Sequence, residues 1–276
     1  MPIRPRKAAL GAGACTAQLA AVWVGAFHVG FLAHANQSIF LQFGDLDAHS
    51  RLEWVARHFV SPFDPNPYAY LAMVPVAVAL LRGRPRVAFA VGAIILGANV
   101  TTELFKHVLS EPAPSRLLPA PSWPSGHSTA AMSLALAAVL AAPARLRPAV
   151  AALGASLAIA AGYSVMATGM HYPSDVVGGF LVAAIWTLLT VAALLAAEHW
   201  RPSASAGGGP ISMRAALGAP GLVLLGALIL TVVVVVIRPH DVVSYARAHE
   251  AFVVGAAGIA ALSLALSTGV VLSVRR

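Results

Sequence analysis

Eight stretches of this chain are apolar over lengths that cross, or nearly cross, a lipid bilayer, and this limits the folds open to it more than any other feature. They cover residues 8–33, 67–81, 87–109, 127–142, 149–170, 176–197, 217–237 and 251–273. A bilayer core takes roughly 20 apolar residues as helix, because hydrocarbon offers no partner to an exposed backbone amide. The stretches at 67–81 and 127–142 are shorter and must lean on neighbours or on a wet face. Across 276 residues, 59% of side chains are hydrophobic and 10% charged, against about 25% charged in soluble domains. The sequence therefore predicts an all-α polytopic membrane bundle of eight spans, with both termini on one side.

Charge placement orients it. Of the 18 basic residues, 12 fall on one side: Arg4, Arg6, Lys7, Arg82, Arg84, Arg86, Arg145, Arg147, Arg201, Arg214, Arg275 and Arg276. By the positive-inside rule this side, with both termini, is cytoplasmic. The loops 34–66, 110–126, 171–175 and 238–250 then face outward. The formal net charge of +8 reflects this topology and not nucleic-acid binding, since no basic arm or aromatic-basic interleaving accompanies it. The first run follows Arg4, Arg6 and Lys7 and is read as a retained helix, being longer than the roughly 7 to 15 apolar residues of a signal peptide. Cys15, the single cysteine, excludes a disulfide framework and reads as packing.

The expected organisation is a transmembrane core over 1–200, a Gly/Ser-rich flexible linker over 201–216, and a C-terminal helix pair over 217–276, read as lipid-facing structure without chemistry. Thr231, the one polar side chain in the run from Leu222 to Ile237, can satisfy itself on its own helix. The outer segment 34–66 reads either as an amphipathic surface helix or as a solvated loop with interfacial aromatics.

Ionisable residues beside membrane spans are costly and mark candidate sites. Three groups converge on the predicted outer face. Lys106 ends the third span, with Glu103 about one turn before it, where a local ion pair is expected. Pro124-Ser-Gly-His127 opens the fourth span, and Ser125 near the N-cap with Gly126 behind it leaves backbone N–H groups free for an anion. His171 and Asp175 sit between the fifth and sixth spans, at a spacing that lets the carboxylate take one ring proton and free the other nitrogen. Tyr163 and Ser164 read as a wet pocket wall. No carboxylate cluster suited to magnesium is present in the sequence.

The ordered set Lys106, Pro114, Pro124-Ser-Gly-His127 and His171-x-x-x-Asp175 resembles the type 2 phosphatidic acid phosphatase superfamily, the lipid phosphatases related in fold to vanadium haloperoxidases. The resemblance is strongest over 67–197, the second to sixth spans of a six-helix core. It implies that His171 attacks phosphorus, Asp175 holds its tautomer and His127 protonates the leaving oxygen, while Lys106, Ser125 and the Gly126 N–H hold phosphoryl oxygens, with no metal or other cofactor. It implies a lipid phosphate or polyprenyl (isoprenoid) phosphate substrate at the extracytoplasmic face of the cell membrane.

Two family positions depart from the pattern KxxxxxxRP … PSGH … SRxxxxxHxxxD. Its arginines fall on Ala113 and on Val165 after Ser164. Each charge-assisted hydrogen-bonding group is worth about 1.5–3 kcal/mol, so the loss slows a phosphatase, is filled by Arg116 nearby, or suits a less charged substrate. Besides a phosphatase, the sequence leaves open a phosphotransferase or phosphodiesterase on a lipid-linked substrate, and a non-enzymatic lipid-binding or transport protein with a degenerate site.

Overall fold

The computed structural model describes residues 5–44, 51–110, 117–118, 121–200, 212–237 and 239–274. They form helices α1 (Pro5–His28), α2 (Gly30–Gly44), α3 (Arg51–Val60), α4 (Pro65–Leu81), α5 (Pro85–Leu109), α6 (Gly126–Ala141), α7 (Arg147–Ala167), α8 (Pro173–Trp200), α9 (Met213–Ile237), α10 (Pro239–Ala248) and α11 (Glu250–Ser273), and no strand among the described residues. The fold is an all-helical membrane bundle. Six helices are long and apolar enough to cross a bilayer: α1, α5, α7 with its lead-in from Ala144, α8, α9 and α11; α4 and α6 are shorter apolar helices.

Helices α6 and α8 form the centre. Met132, Leu136 and Val139 of α6 and Phe180, Ala183 and Ala184 of α8 are fully buried, and α1, α5, α7 and α11 surround them. Small residues permit this closeness, as expected where helices pack without a hydrophobic driving force between them. A Cβ on Gly154 of α7 would lie 2.8 Å from the Ala135 side chain of α6.

The first apolar run is not one helix. The chain breaks at Val29, and α2 folds back so that Leu32 packs against Gly25, where a Cβ would stand 3.0 Å from the leucine. Helix α2 then crosses the end of the bundle: its Gln42 accepts the Phe252 N–H at the start of α11 (2.7 Å), and Phe43 packs on Phe252 and Tyr163. The segment 34–66 also contains α3, whose exposed face carries the Glu53–Arg57 pair while Val60 is buried.

The two C-terminal apolar helices differ. Helix α9 is peripheral, with Leu222, Leu228 and Val236 exposed, and its Thr231 hydroxyl donates to the Ala227 carbonyl at 2.9 Å. Helix α11 exposes Val253 and Val254 on one face, but its other face does not follow the lipid-facing role expected for the pair. It enters the core through Gly255, Ile259, Ser263, Ser267 and Val271, and Ser263 donates to the Ala155 carbonyl of α7 at 3.1 Å. Of the expected linker, residues 201–211 lie outside the described residues, and Met213 already begins α9.

Arginines close the end of the bundle away from the candidate site. Arg82 donates to the Ala141 carbonyl at the end of α6, and Arg147 to the Val274 carbonyl after α11 (2.8 Å). Each caps a helix end whose last carbonyls have no internal partner.

Candidate active site

Backbone chemistry at the α7–α8 junction explains the position of His171. Helix α7 ends on Gly169 in the left-handed conformation (φ +67°), with Gly169 N–H bonded to Met166 O at 3.0 Å and Met170 N–H to Val165 O at 2.9 Å. This is a Schellman end, which turns the chain sharply. Pro173 then starts α8, leaving His171 and Tyr172 between two helix ends. Asp175, in the first turn of α8, reaches back to accept the Tyr172 N–H at 3.1 Å, as the third residue of a capping box does.

The same carboxylate takes two further bonds. Its Oδ1 accepts the Ser174 hydroxyl at 3.2 Å, and its Oδ2 lies 3.4 Å from His171 Nδ1. Asp175 is fully buried, and a buried carboxylate persists only when its lone pairs are occupied. Ser174 is itself gripped from α2: Asn36 Nδ2 donates to its Oγ, and its N–H donates to Asn36 Oδ1, both at 3.0 Å. A chain of contacts thus runs from Asn36 through Ser174 and Asp175 to His171. Tyr172 is wedged beside Phe40 with ring centroids 4.4 Å apart, and its hydroxyl accepts the Leu117 and Leu118 N–H groups.

The Pro-Ser-Gly-His turn docks onto α8. Ser125 N–H donates to the Asp175 carbonyl at 2.9 Å, joining the two motifs through their backbones. The turn lies so close to Gly179 that a Cβ there would sit 2.7 Å from the Ser125 carbonyl oxygen. Ser125 is the N-cap of α6, its hydroxyl accepting the Ser128 N–H at 3.3 Å. The sequence reading assigns this side chain to a phosphoryl oxygen; the fold buries it completely and uses it to finish the helix. With the Ser128 N–H taken by this hydroxyl, the Gly126 and His127 N–H groups of the first turn lack an intrahelical acceptor by position.

Lys106 comes up from α5 to the same place. Its ammonium pairs with Glu103 at 2.7 Å and would lie 3.2 Å from a Cβ on Gly126, so it stands over the start of α6. His127 and His171 face each other edge to face with centroids 6.4 Å apart. The four residues Lys106, His127, His171 and Asp175, spread over 70 positions of sequence, therefore surround one mouth.

Asp64 is an addition that motif reading passes over. It precedes α4 and its Oδ1 lies 3.0 Å from His127 Nε2. Its sequence context, an aspartate before Pro65, reads as an ordinary helix start. Arg116 and Ala113 lie outside the described residues. Val165 is buried within α7, and its carbonyl accepts the His171 N–H at 3.2 Å as well as that of Met170. Tyr163, expected in a wet wall, instead donates its hydroxyl to the Ala256 carbonyl of α11 at 2.5 Å. Among the described residues no group of three His, Cys, Asp or Glu side chains is arranged to hold a metal ion.

Residues 87–198 match the model of the PAP2 superfamily. Over this segment the chain is similar to the PAP2 superfamily. That segment contains all four mouth residues named above. No curated protein sequence matches the chain. Among solved structures it resembles the first transmembrane PAP2 type phosphatidylglycerolphosphate phosphatase from Bacillus subtilis, with a TM-score of 0.55 at 16% identity, covering 71% of this chain and 98% of that one. The shared feature at that identity is the fold, and it is the fold of a membrane PAP2 phosphatase.

Proposed function

We propose that the protein is a membrane lipid phosphatase that hydrolyses a lipid phosphate or isoprenoid diphosphate at the extracytoplasmic face, by way of a phosphohistidine. The observation that carries this reading is the His171–Asp175 pair facing His127 across 6.4 Å beneath the Lys106 ammonium. With Nδ1–H directed to Asp175, the Nε2 lone pair of His171 attacks phosphorus. The N–P bond forms as the P–O bond to the lipid breaks, and His127 delivers a proton to the departing oxygen. Water, deprotonated by His127, then attacks phosphorus; the N–P bond breaks, inorganic phosphate leaves, and both imidazoles return to their starting states. Lys106 and the first-turn N–H groups of α6 neutralise the phosphoryl oxygens.

Location supports a lipid substrate. The mouth sits at the ends of apolar helices, near headgroup depth, where a tail can remain in the bilayer. Arg82 and Arg147 lie at the other end of the bundle, and by the positive-inside rule that end is cytoplasmic.

One observation favours a second reading. Ala113 and Val165 stand where the motif resemblance places arginines, and the Lys106 and His127 partners in the mouth are carboxylates, Glu103 and Asp64. Such a balance suits a singly charged phosphodiester, making the enzyme a phosphodiesterase or phosphotransferase. Phosphate release from lipid monophosphates by the purified protein, abolished in His171→Ala, with a ³²P-labelled histidine trapped at position 171, tests the first reading. Transfer of label to an alcohol acceptor with no free phosphate marks the second. Absence of any labelled histidine with every substrate class removes both.

A further inference from the structure

Asp64 occupies the N-cap position of α4, where an aspartate ordinarily turns its side chain onto the N–H groups of its own helix. Here it makes no such bond. Its carboxylate points away instead, to His127 Nε2 at 3.0 Å, across 63 residues of sequence. The surrounding chain holds it there. Ser61-Pro62-Phe63 forms a helical turn closed by the Asp64 N–H on Ser61 O (3.1 Å), and Phe63 is buried. The Asp64 carbonyl accepts the Tyr68 N–H at 2.9 Å, and the Tyr68 hydroxyl is bonded into α6 at Ala130 O (3.2 Å) and Ser133 Oγ (3.0 Å). The first turn of α4 is therefore fastened to the helix that carries His127.

We infer that Asp64 is a positioning residue for the leaving-group acid: it accepts the Nε2–H of His127, fixing that tautomer and assigning the exchanged proton to Nδ1. The mouth then holds two oriented histidine–carboxylate pairs of opposite polarity. His171 gives Nδ1–H to Asp175 and works at Nε2; His127 gives Nε2–H to Asp64 and works at Nδ1. This inference rests on the phosphatase reading above. As the P–O bond breaks, the Nδ1 proton goes to the lipid oxygen and leaves a neutral ring still held by Asp64. As water attacks, Nδ1 takes its proton back. The carboxylate neither gains nor loses a proton in either step. The other charged or titratable groups around this ring are His171 between α7 and α8 and, on α5, Lys106 with its partner Glu103.

The test separates a proton-delivery role from a structural one by leaving group. Wild type, Asp64→Asn and Asp64→Glu are purified and assayed on an alkyl lipid phosphate, whose alkoxide leaves only with a proton, and on 4-nitrophenyl phosphate, whose phenolate leaves without one. Positioned proton transfer contributes roughly 10²–10⁴ in rate, so Asp64→Asn is expected to lower kcat on the alkyl ester about ten- to a hundredfold, with about threefold or less on the aryl ester. Asp64→Glu is expected to recover most of the alkyl rate. Equal losses on both esters, or no loss on the alkyl ester, overturn the inference. A readout independent of turnover is the ¹⁵N spectrum of labelled histidine, with His127→Ala used for assignment. The Nε2–H tautomer at position 127 is expected in wild type and its loss in Asp64→Asn; an Nδ1–H tautomer in wild type, or no change in the variant, overturns the assignment. If wild type turns over neither ester, the phosphatase reading fails, while the spectra still decide whether Asp64 sets the tautomer.

Discussion

The two histidine–carboxylate pairs of the mouth differ in how their carboxylates are held. Asp175 is fully buried and bonded to His171, the Tyr172 N–H and the Ser174 hydroxyl. The side chain of Asp64 is 55% exposed, and its contact is to His127. In a low-dielectric site a fixed charge acts strongly and its loss is costly; at a wetted mouth the same charge is screened. Under the mechanism proposed above, the difference is a division of labour. A nucleophile needs one tautomer throughout, so its partner can be locked into the fold. An acid that gives and regains a proton is better served by a partner that water can reach.

The largest effect expected from breaking this asymmetry is at Asp175. Asp175→Asn should lower turnover by about 10³–10⁴, the scale seen when an oriented base loses its carboxylate. It should also lower the melting temperature, because the amide cannot serve all three donors. Asp64→Asn should leave the melting temperature where it is. Phosphate release combined with thermal unfolding checks both; equal melting shifts for the two variants would erase the proposed distinction.

Next in size is the seat on which both pairs rest. A Cβ on Gly179 would meet the Ser125 carbonyl at 2.7 Å and the Thr129 N–H and hydroxyl at 2.9 Å, all on α6. Gly179→Ala should therefore cost about 1–3 kcal/mol of stability, as overpacking does. It should also lower turnover at least tenfold by moving the Pro-Ser-Gly-His turn. Gly226→Ala in α9 meets nothing within 4 Å and should be neutral or gain up to about 1 kcal/mol from helix propensity. Paired melting curves and phosphate assays decide it.

These contrasts also separate what was legible in the chain from what was not. The mouth residues Lys106, His127, His171 and Asp175 follow from local features: a helix end, a Pro-Ser-Gly start and a four-residue step across a turn. Asp64 follows from none of these, because its partner is 63 residues away and an aspartate before a proline reads as a helix cap. Asn36 was hidden by hydropathy, which runs unbroken through Val29 and conceals the bend that brings α2 over the site. Helices α9 and α11 are both strongly apolar, and periodicity does not say which one enters a core. The signal was present in α11 as Gly255, which lies against Ile39 of α2, and as Ser263, which bonds to Ala155 of α7, whereas α9 presents large aliphatic side chains to its surroundings.

The smallest expected effect sharpens the comparison most, because it asks how far the rigid side extends. Asn36 exchanges two hydrogen bonds with Ser174, and by holding the serine N–H and accepting none of its hydroxyl proton, it leaves that proton for Asp175. Asn36→Ala removes both bonds, a loss of about 1–3 kcal/mol at roughly 0.5–1.5 each. Since Ser174 remains tied into α8, turnover should fall only about three- to tenfold. Ser174→Ala should produce a similar decline, and the double variant should add little, since both act on one carboxylate. Measured against Asp64→Asn, the pattern should differ in kind. If His171 is the nucleophile proposed above, the Asn36 and Ser174 variants disturb it and should slow alkyl and aryl phosphates alike, because every ester would first meet it. A loss confined to alkyl esters would place Asn36 on the proton-delivery side and dissolve the boundary between the two halves of the mouth.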